Sequence, residues 1–369
     1  MMPTDYCNMN CVYCFNHRRT NSEKKIMDLQ TLEQVFATTI PFYESISCIW
    51  HGGEPLTVGV DFYKDAVRLQ KKYNQKGIPI ENSVQSNLTL MDDSFASFFI
   101  ENEFRVGSSF DGLENDKTRH NTALILKGRE TFLRHGGRIG FICVVQKHNI
   151  DSLIKDYEWF RENRINYTLN MYMGDPENKK DALYISPQEY ADAVCRLFDH
   201  WIGDVQSSVQ ISFFCDLIDY MLFGEKSLCC YNSCLGKHVG VQYDGTLLNC
   251  NRDFPSKYSF GNIHDYSDIH QCFESEGFRL CVNDAFQRRE YCKANCEIFD
   301  FCAGGCNSSA LFAGDMTKPN DHVCTALKLI YFHVRAVLDA LNLTDPNRLE
   351  ASCNKAVQNR ITDHYRRIG

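Results

Sequence analysis

The sequence predicts an α/β protein built on parallel strands, followed by a cysteine-rich segment. Three observations carry that prediction. Strand-like apolar runs alternate with helical patterns over residues 1–205. Most of these runs end in Gly, Asn, Asp or His, residue types suited to functional loops at the C-terminal rim of a parallel barrel. Beyond residue 228 the cysteines crowd together, Gly and Asn become frequent and regular periodicity fades, which marks the best domain boundary in the chain.

Taken in order, Asp28 is a helix N-cap for an apolar face of Leu29, Leu32, Val35, Phe36 and Ile40. Strand-like runs follow at 45–50, 80–86, 105–110, 139–146 and 166–173. Helical stretches lie between them at 61–76, 92–102, 123–135 and 150–163. Helical patterns at 187–201 and 213–223 lead out of this region. Further on, Tyr243-Asp244-Gly245 has the composition of a hairpin turn. From Thr325 the chain returns to helix, interrupted at Thr344-Asp345-Pro346.

The 369 residues are enough for a large core and two domains. A formal net charge of -8 with scattered Lys and Arg argues against nucleic acid. No apolar run is long enough to span a membrane, and no secretory signal precedes the first cysteines. Nineteen cysteines in such a chain are expected to be metal ligands in a reducing cytoplasm, in an organism that avoids oxygen, rather than a disulfide framework.

Cys7, Cys11 and Cys14 have C-x3-C-x2-C spacing, and the next cysteine is Cys48. Three thiolates at this pitch can hold three irons of a [4Fe–4S] cluster and leave the fourth open to a ligand. His51-Gly52-Gly53-Glu54-Pro55 follows a strand directly. Its glycines permit close backbone approach to a ligand, and its carboxylate can accept from an ammonium group. By itself this would be a tight strand-to-helix turn. Ser86 and Asn87, in Gln85-Ser86-Asn87-Leu88-Thr89, offer short polar groups to ribose hydroxyls. Ser109, in Val106-Gly107-Ser108-Ser109-Phe110-Asp111-Gly112, and the later Arg119 suit capture of a carboxylate.

The cysteine triplet, with Tyr13 and Phe15 on either side of Cys14, resembles the signature of radical S-adenosylmethionine (SAM) enzymes. Gly-Gly-Glu-Pro resembles the motif that binds the amino group of SAM's methionine moiety in that family. The order and intervals of these segments resemble the anaerobic sulfatase-maturase and peptide-maturase branch, over nearly the whole chain. The resemblance implies a partial (β/α)6 TIM-type barrel, an open iron that chelates SAM, and cofactor contacts from Tyr13, Ser109 and Arg119. Family members have a full first strand before the cysteines, whereas six residues precede Cys7 here. Either that strand is short or the start of the sequence clips it, and the first edge of the barrel is then expected to be imperfectly paired.

Cys234, Gly245 and Cys250, then Cys292-x3-Cys296-x5-Cys302-x3-Cys306 and Cys324, resemble the seven-cysteine SPASM auxiliary-cluster pattern. The x3 between Cys292 and Cys296 departs from the more usual x2. Carried over, the resemblance assigns one auxiliary cluster to Cys234, Cys250, Cys306 and either Cys229 or Cys230, with Cys229 the first choice. A second takes Cys292, Cys296, Cys302 and Cys324, which makes three [4Fe–4S] clusters. The other cysteines are expected to behave as small buried hydrophobes. Two zinc knuckles fit the interleaved spacing poorly. The implied organisation is a barrel at 1–205, a helical linker at 206–228, a SPASM domain at 229–330 and a helical segment at 331–369.

The implied activity is reductive cleavage of SAM and radical modification of a ribosomally made precursor peptide, forming a C–C or C–S cross-link. An external donor such as flavodoxin or ferredoxin would supply electrons. With no room for a leader-binding domain before Cys7, the precursor peptide is expected to be bound by the barrel and SPASM surfaces or by a separate recognition protein. Sulfatase maturases of this branch place a base, Asp, after the second SPASM cysteine. Here Asn251 stands there, which cannot take up a proton, and Asp253 is two residues further. His51, with Trp50 before it, is also in keeping with the peptide-maturase subgroup; packing on the cofactor is favoured over proton transfer. Formylglycine formation is the alternative reaction, and a non-catalytic iron–sulfur electron carrier is the alternative of another class.

Overall fold

The computed structural model describes residues 1–14, 24–174, 181–232, 234–250, 252, 255–341, 343 and 353–368. The chain divides into two compact units. Unit 1 comprises 1–109, 118–140 and 234–285; unit 2 comprises 110–117, 141–233 and 286–369. Each unit draws on both the barrel stretch and the cysteine-rich stretch.

Five strands follow the predicted runs within two residues at each end: β1 (Ile46–Trp50), β2 (Ile80–Gln85), β3 (Arg105–Ser109), β4 (Ile139–Val145) and β5 (Tyr167–Met171). In unit 1, β1 pairs parallel to β2 and β2 to β3, with Cys48 opposite Asn82 and Val84 opposite Val106. Parallel neighbours need crossovers, supplied by the Val60–Tyr73 and Asp93–Glu101 helices. Asp92 caps the second of these by accepting from Phe95 N. Their apolar faces meet in an aromatic core around Tyr63, whose ring lies 5.5 Å from Trp50 and 5.3 Å from Phe99. Trp50 is fully buried, and its indole N–H donates to Asn82 Oδ1, which exchanges paired bonds with Gln70. The buried amides are thereby satisfied.

The predicted N-terminal helix runs Leu29–Thr39, with Asp28 accepting from Thr31 N at 2.7 Å. Leu32, Val35, Phe36 and Ile40 are buried as expected, but Leu29 is 48% exposed. As the first helical residue it sits beside the cap, ahead of the inward face. The chain before Cys7 forms no regular strand, yet it runs along the end of β1. Met1 N donates to Ile49 O, His51 N to Met1 O, Gly53 N to Thr4 O and Glu54 N to Tyr6 O. These bonds pair the edge expected to be incomplete. The hairpin is β6 (Gly240–Val241) with β7 (Leu247–Leu248), antiparallel, and Gly245 takes the left-handed turn position.

In unit 2, β4 pairs parallel to β5, with Cys143 opposite Leu169. The sixth barrel position is reduced to one bridge between Tyr167 and Ile211, with Tyr167 N donating to Gln210 O. The Pro187–Gly203 helix begins with a reciprocal Ser186–Glu189 capping box and packs along the Asp321–Leu341 helix. The latter starts four residues before the position expected. The interruption at Thr344-Asp345-Pro346 lies outside the described residues.

One element departs from expectation. Where periodicity fades, a 20-residue helix spans Glu276–Asn295. Its apolar residues do not share one face: Phe286 and Tyr291 are more than half exposed, whereas Cys281, Ala285 and Cys292 are buried. A helix without a single apolar stripe leaves no 3.6-residue signal.

Candidate active site

The candidate site is built within unit 1 from the Cys7–Cys14 loop and the ends of β1, β2 and β3. Cys14 N donates to Cys11 O at 3.0 Å, which tightens the loop between the second and third cysteines. Val12 N donates to Thr118 O, and Cys11 Sγ lies 4.0 Å from Arg119 O, which fixes the loop against the segment after β3. From the β2 end, Asn87 Nδ2 donates to Asn8 Oδ1 and lies 3.9 Å from Cys7 Sγ; Asn8 Nδ2 donates to Thr89 Oγ1.

The glycines of His51-Gly52-Gly53-Glu54 were expected to let the backbone approach a ligand; within the protein itself Gly52 lies against the Met2 side chain and Gly53 against backbone. A Cβ at Gly53 would stand 2.1 Å from Tyr6 O. Only a residue without a side chain lets the strand end pass the segment that leads into Cys7. Glu54 then turns inward and is 2% exposed. Its Oε1 accepts from Ser86 Oγ at 2.7 Å and Leu56 N at 3.0 Å, and its Oε2 accepts from Asn87 N at 2.7 Å. A carboxylate has about four lone-pair positions, so three bonds leave room for one further donor at Oε2. Burial pushes the Glu54 carboxyl above its ordinary range, opposed by these three bonds and by the Arg119 charge.

Ser86 and Asn87 were expected to face a ribose. Both are buried, and the bonds just described commit them to Glu54 and the cysteine loop. Arg119 Nη1 donates to Tyr13 Oη at 2.9 Å, and its guanidinium carbon lies 5.9 Å from the Tyr13 ring centre. Ser109 Oγ accepts from Gln85 Nε2 at 3.2 Å. His51 is held neutral: burial, then the chain's N-terminal charge and Arg252, lower its pKa to about 4. A group so weakly basic is a poor proton acceptor near neutrality, in keeping with a packing role. Phe15, Asn251 and Asp253 lie outside the described residues.

The three thiols fit an iron–sulfur cluster by their chemistry. Burial first, opposed by the bond from Met9 N and aided by the nearby Glu54, Cys11 and Cys14, raises Cys7 to about 12. Mutually repelling, desolvated thiolates need a cationic partner, and metal coordination deprotonates a thiol outright. Among the described residues no group of three or more His, Cys, Asp or Glu closes up to hold a metal ion. A tetrahedral zinc site would bring its sulfurs to about 2.3 Å from a single centre.

The remaining predicted ligands divide between the units. Unit 1 contains Cys234, whose sulfur accepts from Asn249 Nδ2 at 3.3 Å, and Cys250. Unit 2 contains Cys229, Cys230, Cys306 and the second-cluster set. Within that set, burial raises Cys302 to about 11 and Cys324 to about 12. Cys292 and Cys296 add to both shifts, and Cys302 to that of Cys324, so the four sulfurs are electrostatic neighbours. Of the other cysteines, Cys48, Cys143, Cys215, Cys272, Cys281 and Cys353 are buried, as expected, and Cys195 is half-buried.

Some supporting residues were missed. Asp216, 1% exposed, accepts through Oδ1 from Ser227 N, Ser227 Oγ and Leu228 N, just before Cys229. An Asp inside the apolar run Phe213-Phe214-Cys215-Asp216-Leu217-Ile218 was the available signal. Asn8 and Thr89 carried no signal beyond their proximity to the motifs.

The model of the radical SAM superfamily matches residues 1–185. The cysteine-type anaerobic sulfatase-maturating enzyme of Clostridium perfringens (strain 13 / Type A) is 29% identical over 343 residues, covering 87% of this chain and 91% of that protein. The solved structure of native anSMEcpe with bound AdoMet and Cp18Cys peptide superposes with a TM-score of 0.83 at 27% identity, over 93% of this chain and 98% of that one. Streptococcus suis SuiB bound to precursor peptide SuiA shares the fold, with a TM-score of 0.60 at 16% identity, over 88% and 74% of the two chains. The α/β class with a parallel partial barrel is therefore as the sequence predicted. The matched stretch contains the whole Cys7–Arg119 site, and with it SAM and a [4Fe–4S] cluster become the cofactors of this enzyme. The chain belongs to the radical SAM superfamily.

Proposed function

We propose that this radical SAM enzyme modifies side chains of a precursor peptide by oxidative cross-linking, forming a C–C or C–S bond. The observation that carries the choice of product is Asn251 directly after Cys250, where sulfatase maturation calls for a carboxylate base. Peptide as the substrate class is supported by the peptide-bound relatives of the same fold.

Cys7, Cys11 and Cys14 would hold the first cluster. When bound there, the cluster and SAM supply one-electron cleavage of the sulfonium and a carbon radical able to remove a substrate hydrogen. The open position on Glu54 Oε2 suits the ammonium of SAM, and Arg119, oriented by Tyr13, suits its carboxylate. The buried Glu54–Ser86–Asn87 set keeps water from that end of the site. Ser109 completes the rim. Joining two side chains removes two hydrogens, one as an atom and one as a proton, and releases one electron.

We assign two auxiliary clusters able to take up that electron. One uses Cys292, Cys296, Cys302 and Cys324. The other is the set the family resemblance implies, Cys234, Cys250 and Cys306 with either Cys229 or Cys230, Cys229 being the first choice. A flavodoxin- or ferredoxin-type donor and a cytoplasmic, anaerobic setting follow from this chemistry. No helix among the described residues is long and apolar enough to cross a membrane. Leader recognition falls either to this chain or to a separate protein.

The reaction is tested by incubating reconstituted enzyme, SAM and dithionite with short peptides encoded beside its gene. Mass spectrometry should show loss of two hydrogens with all sulfur retained and no aldehyde. An aldehyde, formed with loss of a cysteine's sulfur or of two hydrogens from a serine, would establish formylglycine formation, the second reading, which the sulfatase-maturing relatives favour.

A further inference from the structure

Asn249 is a polar residue at the end of an apolar strand. It follows Leu247 and Leu248 of β7 directly, and at 1% exposure it is as deeply buried as they are. Its Nδ2 donates to Cys234 Sγ at 3.3 Å. Among the described residues that is its one side-chain bond, since Oδ1 is buried without a partner. Buried amides are ordinarily paired at both ends. A neutral thiol is a weak acceptor and offsets little of such burial, whereas hydrogen bonds to an ionised acceptor are about twice as strong. The arrangement is favourable where the sulfur carries charge.

Local structure fixes this approach within unit 1. Cys234 O accepts from Lys237 N at 3.1 Å and from His238 N at 3.0 Å, which folds the chain after Cys234 into a turn leading to β6. β6 pairs antiparallel with β7, Gly240 opposite Leu248, so the residue after Leu248 is brought back to that turn. Asn249 thereby reaches one assigned ligand, Cys234, from the position next to another, Cys250. The far end of the hairpin is held differently. There Asn262 Nδ2 donates to Asp244 O at 2.9 Å and Asn262 Oδ1 accepts from His264 N at 3.1 Å, so this side chain bonds backbone atoms alone. Of the two buttressing asparagines, Asn249 is the one turned to sulfur.

We propose that Asn249 supports the iron–sulfur site to which Cys234 and Cys250 belong, donating to the Cys234 sulfur and raising the site's reduction potential. The inference rests on the reading of those two cysteines as ligands. A cluster held by thiolates is anionic and gains one further negative charge on taking up one electron. A donor fixed on one of its sulfurs in a buried setting therefore favours the reduced form. The site becomes a readier acceptor for the electron released in product formation. Asn249 acts through the sulfur, as a positioning residue, and takes no part in the chemistry itself.

The test is an anaerobic redox titration of the full-length reconstituted enzyme, followed by electron paramagnetic resonance. The signal is assigned to this site by its loss, with the matching iron and sulfide, in Cys250→Ala. Asn249→Leu, which keeps the bulk and removes the donor, should lower the midpoint by about 30–60 mV, a threefold to tenfold change in a one-electron equilibrium. Asn262→Ala loosens the hairpin but leaves the bond to sulfur, and should keep the wild-type midpoint. A midpoint in Asn249→Leu no lower than that in Asn262→Ala overturns the proposal. Should Asn249→Leu assemble no cluster there, enzyme isotopically labelled at the asparagine side-chain nitrogen decides, in a Cys11→Ala background that silences the first cluster. Nitrogen coupling to the reduced site in pulsed electron paramagnetic resonance supports the proposal, and its absence overturns it. If Cys250→Ala removes no iron, the ligand reading itself falls, and the proposal with it.

Discussion

Ser86 Oγ donates to Glu54 Oε1 at 2.7 Å, so a residue at the end of β2 holds the carboxylate that follows β1. Removing this donor should leave a buried carboxylate short of one bond, at a cost of about 1–3 kcal/mol in stability. In Ser86→Ala the affinity for SAM should fall about tenfold. Glu54 already titrates above its ordinary range because of burial, and loss of Ser86 would raise it further. The acid-side loss of SAM binding should therefore begin at higher pH than in wild type. Equilibrium dialysis across pH checks both effects, and superimposable curves would contradict the assignment.

Gly53 and Gly59 should respond differently to alanine. A Cβ at Gly53 collides with Tyr6 O, whereas at Gly59 it meets nothing within 4 Å. Gly53→Ala should displace the segment entering Cys7 and lose the iron of that cluster while auxiliary iron is retained. Gly59→Ala carries the strain of φ 87° and ψ 159°, a region taken almost only by glycine, about 1–3 kcal/mol. Iron analysis beside thermal denaturation separates the two, and full iron in Gly53→Ala would count against the packing argument.

Arg119 and Tyr13 should behave as one unit. Because Tyr13 Oη accepts from Arg119 Nη1, Tyr13→Phe should weaken SAM binding less than Arg119→Ala does, and the double variant should lose less than the sum. A coupling of about 0.5–1.5 kcal/mol is expected for one such bond. Strict additivity in SAM affinity would show that the tyrosine does not orient the guanidinium.

Asp156 supplies a pH signature away from the cysteines. Burial raises its carboxyl to about 6, although Leu113 N and Ser152 Oγ donate to it. A raised folded-state value means that its favourable contribution is complete below the unfolded value of 3.8 and is lost as pH rises through about 6. Asp156→Asn can accept from Leu113 N and donate to Ser152 Oγ without the charge. It should be more stable than wild type at pH 7, by up to about 3 kcal/mol, and the gap should close towards pH 4. Chemical denaturation at a series of pH values measures the gap; one independent of pH would refute the assigned shift.

The strands and crossover helices were legible because period-two and 3.6-residue patterns survive wherever one face is buried. The Cys7–Cys14 loop was legible through spacing alone. Less visible was what each motif residue bonds to. Gly53 clears the path of the Tyr6 carbonyl, and Ser86 and Asn87 serve Glu54, because residue type tells of capacity but tertiary neighbours decide its use. The Glu276–Asn295 helix was hidden because its apolar residues are spread around the axis. Lone supporting residues such as Asn8 have no motif of their own.

The central claim is that Cys7, Cys11 and Cys14 gather the group that activates SAM beside Glu54 and Arg119. Its most direct test is anaerobic incubation of reconstituted wild type and Cys7→Ala with SAM and dithionite, with quantitation of methionine and 5′-deoxyadenosine. Wild type should form both in equal amounts and Cys7→Ala neither. Intact SAM with iron-loaded wild type, or equal cleavage by the variant, would contradict the account.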